Sequence, residues 1–325
     1  MRFRVEYAIV GAIGRCIGLM PMPMVRGCGT LLGLIAYSLD RSRRRVALDN
    51  LSQAFPTRAP SEHRTIARRM FIHFGRLVLE MMKFSTLSHE QMRAHSEIEG
   101  EDRVAQAHRQ GRGVLFFTGH FGYWEVQSIA HPLRVAPIGV IARPLDNPFL
   151  HTMLERMRTM TGNHVIYRDG AIRRVLRALA INQGVALLID QHLHSSDAVY
   201  VDFFHRPAAT TSALAALALR TGAPVIPVFA LPSPGGRYRL IYEHPVEPPR
   251  SDSPDAIREF TQRCTDVLEM YVRRHPDLWL WMHRRWRETA AAGIRDQGSG
   301  ISGSMGTALA DPRSLIPDPS DDHDA

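Results

Sequence analysis

Six short apolar runs constrain this chain more than any other feature. They lie at 113–118, 136–141, 164–167, 184–190, 224–230 and 237–243. Each is too short to be a packed helix, and several are unbroken by polar residues. A strand reads this way when helices cover both of its faces. Helical patterns fill most of the gaps, and a longer one runs over about 255–273. The alternation predicts an α/β fold with a mostly parallel central sheet flanked by helices.

Open sheets of that class place their chemistry beyond the C-terminal strand ends. The stretch Gly113-Val-Leu-Phe-Phe-Thr-Gly-His120-Phe-Gly-Tyr-Trp-Glu125 is the first candidate. Thr118 and Gly119 break the strand, His120 follows at its end, and Glu125 falls in the first turns of a helix. A histidine held by a carboxylate is suited to taking a proton from an alcohol. On spacing alone the pattern is weak, and a structural histidine is the alternative. It does not match a His-Glu-x-x-His zinc pattern, and no cysteine is near, so neither a metal nor a cofactor is expected.

Further polar residues end other strands. Arg143 closes one run and begins Arg143-Pro-Leu-Asp-Asn-Pro148, and Arg168 closes the next. Arginine at a strand end can grip a phosphate bidentately. Asp190 and Gln191 follow Leu187-Leu-Ile. Thr210 or Thr211 is placed to cap a helix running through Arg220, whose amides would favour an anion.

The formal charge is +8 and the isoelectric point near 9.9, which call for an acidic partner. The arginines do not sit in a recognisable nucleic-acid module, so nucleic acid is not expected. Three cysteines without a Cys-x-x-Cys pair fit a reducing compartment. Residues 5–39 are apolar with a break at Met20-Pro-Met-Pro23. Neither half gives the roughly 18–20 clean apolar residues of a spanning helix. An interfacial helical pair, one spanning segment and a pair of core helices all remain open. Arg41, Arg43, Arg44 and Arg45 follow directly, which suits an anionic cytoplasmic membrane face. Helices are expected at about 42–54 and 61–84, the second capped by Ser61, with a core stripe of Ile66, Met70, Phe74, Leu77, Met81 and Phe84. The Gly-, Ser- and Asp-rich tail after about 289 is expected to be disordered.

Taken in order, these blocks resemble the lysophospholipid-type glycerolipid acyltransferases, and more closely the lipid A secondary (lauroyl and myristoyl) acyltransferases. The residues that carry the resemblance are Thr118-Gly-His-Phe-Gly-x-Trp-Glu125, Arg143 to Pro148, Asp190-Gln191, Phe203-Phe204, Arg206-Pro-Ala-Ala-Thr210 and Trp279-Leu-Trp-Met-His-Arg-Arg-Trp286. Ala47-Leu-Asp-Asn50-Leu51 with Phe55-Pro56 adds to them. Three positions depart from the family pattern: Tyr123 stands for asparagine, His192 for an acidic residue and His205 for glycine.

The resemblance implies acyl transfer to a hydroxyl of a lipid A precursor or related glycolipid at the cytoplasmic face of the inner membrane. The donor would be acyl-carrier protein, or acyl-CoA as co-substrate. His120 would be the general base and Glu125 would orient its ring. Arg143 and Arg168 would hold the acceptor's phosphate or polar head, with Asp190 and Gln191 completing the polar wall. Amides near Gly122, or an arginine, would receive the oxyanion. The acidic carrier protein would dock on Arg173, Arg174 and Arg177 or on 283–287, and Trp279, Trp281 and Trp286 either meet the bilayer interface or pack a C-terminal helix. The implied organisation is membrane-associated helices over 1–40, an acyltransferase domain over 41–288 and a tail over 289–325. Competing readings are a mannoside-type glycolipid acyltransferase using acyl-CoA, a thioesterase, and a non-enzymatic basic membrane-binding protein.

Overall fold

The computed structural model describes residues 1–167, 170–193, 198–249 and 255–286. Arg168, Arg287 and the expected disordered tail lie outside the described residues.

Five helices come first: α1 (Arg2–Leu19), α2 (Met22–Leu39), α3 (Arg41–Ala54), α4 (Pro60–Phe84) and α5 (His89–Ala94). Then β1 (Ser96–Glu99), α6 (Glu101–His108), β2 (Val114–Thr118), α7 (Trp124–Ala130), β3 (Ile138–Ala142), α8 (Pro148–Thr159) and β4 (His164–Tyr167) alternate. They are followed by α9 (Ala171–Ala180), β5 (Gly184–Leu188), a hairpin of β6 (Ala198–Asp202) and β7 (Pro207–Thr211), α10 (Ala213–Thr221), β8 (Val225–Ser233), β9 (Arg237–Tyr242) and α11 (Ala256–Arg274).

The sheet order is β1-β9-β8-β2-β5-β3-β4, and every pairing is parallel except β8 with β9. The six runs read from sequence supply six of the seven strands; β1 and the β6–β7 hairpin were not anticipated. β2 is central, with Phe116 opposite Ala186 of β5 and Ile226 of β8. Successive side chains on a strand point to opposite faces. Leu115 and Phe117 therefore join the core with Ala178 of α9, Leu214 of α10 and Leu268 of α11. Val114 and Phe116 join the core on the other face with Val104 of α6 and Val126 and Ile129 of α7.

The proline break separates α1 from α2 at Pro21. Both helices pack back on the rest of the chain, where Ile17 and Val25 meet Leu79 and Met82 of α4 and Met157 of α8. The α2–α4 crossing is close because Gly29 and Gly33 face Gly75. A methyl group on Gly33 would collide with the carbonyl oxygen of Phe71. The opposite faces of the pair stay exposed, with Val5, Ile9 and Ile13 on α1 and Leu31, Leu32 and Ile35 on α2. The stripe on α4 is core packing, as expected: Ile66, Met70, Leu77 and Phe84 are buried.

Two local expectations are corrected and a third is refined. Helix α4 starts at Pro60 rather than at a Ser61 cap, with Glu62 accepting from the Ala59 amide at 2.9 Å. Thr210 and Thr211 end strand β7, and Thr211 Oγ1 accepts the Ala213 amide at 3.3 Å at the start of α10, whose N-cap position is Ser212. Trp279 and Trp281 are fully buried in an irregular segment, in neither a helix nor a bilayer contact. They pack with Phe203, Phe204 and Trp286 in an aromatic cluster.

The glycine contact gives a test. Gly33→Ala is expected to lower stability by about 1–3 kcal/mol, because overpacking forces the two backbones apart. Gly27→Ala, with open space at its Cα, is the control and should leave the unfolding midpoint unchanged or slightly raised. Thermal unfolding of both variants in detergent checks this.

Candidate active site

β2 and its parallel neighbour β5 end side by side, which brings the loop after Thr118 against the loop after Leu188. His120 Nδ1 lies 2.8 Å from Asp190 Oδ1. The other carboxylate oxygen accepts the His120 amide at 2.7 Å and the Trp279 indole N–H at 2.8 Å. Asp190 is almost fully buried, and burial alone would raise its pKa. The facing imidazole and these hydrogen bonds outweigh that and hold the carboxyl down at about 2. Burial likewise pulls His120 down, but the charge and hydrogen bond of Asp190, helped by Glu125, raise it above its ordinary value. A carboxylate only accepts hydrogen bonds, so Nδ1 carries the proton in the neutral ring and Nε2 keeps a lone pair. Gln191 Nε2 lies 3.2 Å from that nitrogen.

Glu125 does not hold the ring. Its carboxylate forms a two-point pair with Arg158 of α8, with Nε to Oε2 at 2.9 Å and Nη2 bonded to Oε1. The ring-orienting role assigned to Glu125 from spacing therefore falls to Asp190 on geometry, and Arg158 is a residue the sequence reading missed. Two of the amides expected to receive the oxyanion are taken: Gly122 N–H donates to Leu278 O and Tyr123 N–H to Ala230 O, each at 2.9 Å.

A cavity of about 540 Å3 opens at this point. His120, Trp124, Glu125, Arg158, Gln191 and Arg143 stand among its lining residues, and Phe116, Ile138, Val140 and Val228 give it an apolar wall. Arg143 is exposed on the loop that leads into α8. Asp190 backs the site from behind His120 and is not part of the cavity wall. Of the six site residues named from sequence, five are described; His120, Glu125, Arg143 and Gln191 line the cavity, and Asp190 supports it.

These features can be set against known proteins. A family model described as bacterial lipid A biosynthesis acyltransferase matches residues 3–288. The chain belongs to that family. It is similar to the lipid A biosynthesis lauroyltransferase of Escherichia coli K12, 24% identical over 270 residues that cover 82% of this chain and 87% of the relative. It is also similar to the lipid A biosynthesis myristoyltransferase of the same organism, 24% identical over 252 residues and 77% of each chain. A phosphatidylinositol mannoside acyltransferase of Mycolicibacterium smegmatis is 22% identical over 225 residues, 68% of this chain and 72% of the relative.

Family motifs distant from His120 now acquire physical roles. Asn50 of α3 donates to the carbonyls of Trp281 and His283 at 2.8 and 2.9 Å, which fixes the segment that delivers Trp279 to Asp190. Arg285 is buried and donates to Ala209 O at 2.6 Å and to Thr210 Oγ1, so it braces β7 and is not free to dock a carrier protein. Tyr123, a departure from the family pattern, donates to buried Glu80 at 3.1 Å. Tyr238 donates to the same carboxylate at 2.6 Å, and Arg26 of α2 pairs with it at 3.1 Å. His73, kept neutral because burial pulls its pKa down to about 4, donates from Nε2 to Gly122 O at 3.0 Å. The His120–Tyr123 turn is thus tied to α2 and α4 as well as to the sheet. His205, another departure, sits with Phe204 at φ 58 in the β6–β7 turn, where its amide donates to Asp202 at 2.8 Å.

Glu80 is fully buried, so removing its charge strands its partners. Glu80→Ala is expected to lower stability by about 3–5 kcal/mol, and Tyr123→Phe by about 1 kcal/mol for one lost hydrogen bond. Denaturant unfolding of the two variants measures both.

Proposed function

We propose that this protein transfers a fatty acyl chain from the thioester of an acidic acyl-carrier protein to a hydroxyl of a lipid A precursor or closely related glycolipid. The observation that carries the reading is the His120–Asp190 pair, in which the Nε2 left unprotonated belongs to a residue lining a partly apolar cavity. Family membership and the names of the relatives support the reaction class.

His120 takes the proton of the acceptor hydroxyl through Nε2, displacing Gln191 from that nitrogen. Asp190 stabilises the imidazolium that forms, as the third member of a serine-type triad does. The acceptor oxygen attacks the thioester carbonyl, the carbon–sulfur bond breaks, and the departing thiolate receives the proton from His120. No enzyme nucleophile is required. Arg158, oriented by Glu125, is the charged donor on the cavity wall suited to the tetrahedral oxyanion; one such donor is commonly worth about 3–4 kcal/mol. Arg143 at the rim is suited to a phosphate of the acceptor.

The N-terminal helices supply a membrane surface in this reading. Helix α2 has the length and mean hydropathy, 1.2, of a spanning helix. Its glycine face is nevertheless docked on α4, so α1 and α2 lie on the bilayer with their exposed apolar faces in it. Arg41, Arg43 and Arg45 are exposed in the first turns of α3, where positive charge opposes the helix dipole. An anionic cytoplasmic leaflet of the inner membrane would relieve that opposition. Asn147 at the start of α8 bonds Phe3 O and Glu6 of α1, which sets the cavity rim beside the same surface. The mycobacterial relative favours a second reading, acyl transfer to a mannoside-type glycolipid from acyl-CoA; mass spectrometry of lipids from a deletion strain separates the two.

His120→Ala is expected to lower transfer to purified lipid A precursor by about 10²–10⁴-fold without releasing more free fatty acid. Near-normal transfer by that variant would end the assignment. The pH dependence assigns the partner. His120 is raised, so the acidic limb of kcat/KM should have its midpoint above 6.5. Asp190→Asn removes the charge that raises it, so the midpoint moves down and kcat/KM falls by about 10³–10⁴-fold. Glu125→Gln should shift the midpoint down by less. The reverse order would return the orienting role to Glu125.

A further inference from the structure

A second hollow, of about 320 Å3, opens between α2 and α4, away from the catalytic cavity. Tyr37 of α2 and Ser61, Arg64, Thr65, Arg68 and Arg69 of α4 stand around it. The helix pairing makes the hollow. Gly29 meets Arg76 and Gly33 meets Ile72, so the two helices run antiparallel. Tyr37 comes one turn after Gly33 and packs edge-on against Phe71. Helix α2 ends at Leu39, and in that register the first turns of α4 run on past its end. Arg64 and Arg68 are one helical turn apart, with Arg69 next to them, and like charges at that spacing repel. All three are exposed, and none has an ion pair or a side-chain hydrogen bond among the described residues. Helix α2 contains no acidic residue. The acids nearest in sequence are engaged: Glu62 accepts the Ala59 amide and Asp40 the Arg43 amide, each at 2.9 Å. The last carbonyls of α2 are also engaged, since Arg44 Nη1 donates to Tyr37 O at 2.7 Å and Ser38 O at 3.5 Å.

We propose that this hollow holds the phosphate of one anionic glycerophospholipid of the membrane, gripped by Arg64, Arg68 and Arg69. The chemistry of the wall sets the group. A guanidinium pairs with a phosphate at two points, and the hydroxyls of Ser61 and Tyr37 are further donors for its oxygens. The helix that closes the hollow sets the source. Helix α2 supplies Tyr37 and exposes Leu31, Leu32, Ile35 and Leu39, so a headgroup seated here has apolar surface on the same helix for its acyl chains. A concave site of this size suits a headgroup rather than a folded acidic protein, whose interface takes about 800 Å2 of each partner. The Arg26–Glu80 pair ties the N-terminal half of α2 to α4. The lipid ties its C-terminal end, where the two helices have no ion pair of their own among the described residues. This binding is separate from acyl transfer and does not depend on it.

The test titrates the full-length protein in a neutral detergent with phosphatidylglycerol, phosphatidylcholine or inorganic phosphate, and counts bound molecules by native mass spectrometry. One phosphatidylglycerol per chain is expected at concentrations where phosphatidylcholine is not retained, with a rise in the thermal unfolding midpoint. Arg68→Lys keeps the charge and loses the planar fork, so it should weaken that binding at least about tenfold and remove the thermal shift. Arg4→Gln removes a whole charge from the exposed face of α1 and should leave binding within about twofold. Equal retention of phosphatidylcholine overturns the inference. So does a larger loss from Arg4→Gln than from Arg68→Lys, which is the mark of diffuse attraction. Inorganic phosphate that displaces the lipid at equal concentration makes the ligand a soluble anion, and displacement by acyl-carrier protein makes the hollow a protein surface; either result overturns it. None of these outcomes bears on transfer by His120, which the activity of the His120→Ala variant decides.

Discussion

The buried carboxylate of Asp190 is the interaction on which the site depends. One oxygen holds the His120 ring, and the other holds the His120 backbone and the Trp279 indole. A carboxylate stays ionised in that position because its acceptor sites are met by the imidazole, the His120 amide and the Trp279 indole. Acceptor and donors come from different parts of the chain: Asp190 from the loop after β5, His120 from the loop after β2 and Trp279 from the C-terminal segment. The C-terminal segment is in turn held by Asn50 from α3 and by Arg285 against β7. The aromatic cluster of Phe203, Phe204, Trp279 and Trp281 shields the carboxylate from water, which strengthens every one of these bonds.

A second buried carboxylate, Glu80, does for the backbone what Asp190 does for the ring. Through Tyr123 it reaches the turn that carries His120, and through Arg26 it reaches the apolar helix α2. Gly29, Gly33 and Gly75 let α2 approach α4 closely enough for that pair to form. The apolar N-terminal helices are therefore a wall of the catalytic unit as well as its exposed apolar surface. Asn147 gives the cavity rim its own tie to α1. The cavity rim and the turn that carries His120 are thus both fixed to the N-terminal helices, whose outer faces are apolar and exposed.

Much of this was legible in the chain. The apolar runs located six strands because a strand buried on both faces has no alternation to hide it. β1 escaped because Ser96-Glu-Ile-Glu99 sits at the sheet edge and is polar. The β6–β7 hairpin escaped because its turn places Phe204 and His205 at positive φ, where Asn-Gly would be the usual signal. Its conformation is held from outside, by Glu269 on the Phe204 amide and by aromatic packing. His120, Asp190, Gln191, Arg143 and Glu125 were all visible as polar residues at strand ends or helix starts. Arg158 was not, since it lies in the last turn of an amphipathic helix, where an arginine is ordinary.

The sequence by itself determined the class of sheet, its central strand and the histidine at its end, because hydrophobic periodicity and chain order are local properties. It could not determine which carboxylate reaches that histidine. Glu125 is five residues away along the chain, but α7 carries it to Arg158; Asp190 is seventy residues away, but β5 lies beside β2 in register. Strand adjacency is a tertiary property, and it fixed the pairing that proximity in sequence had given to the wrong acid.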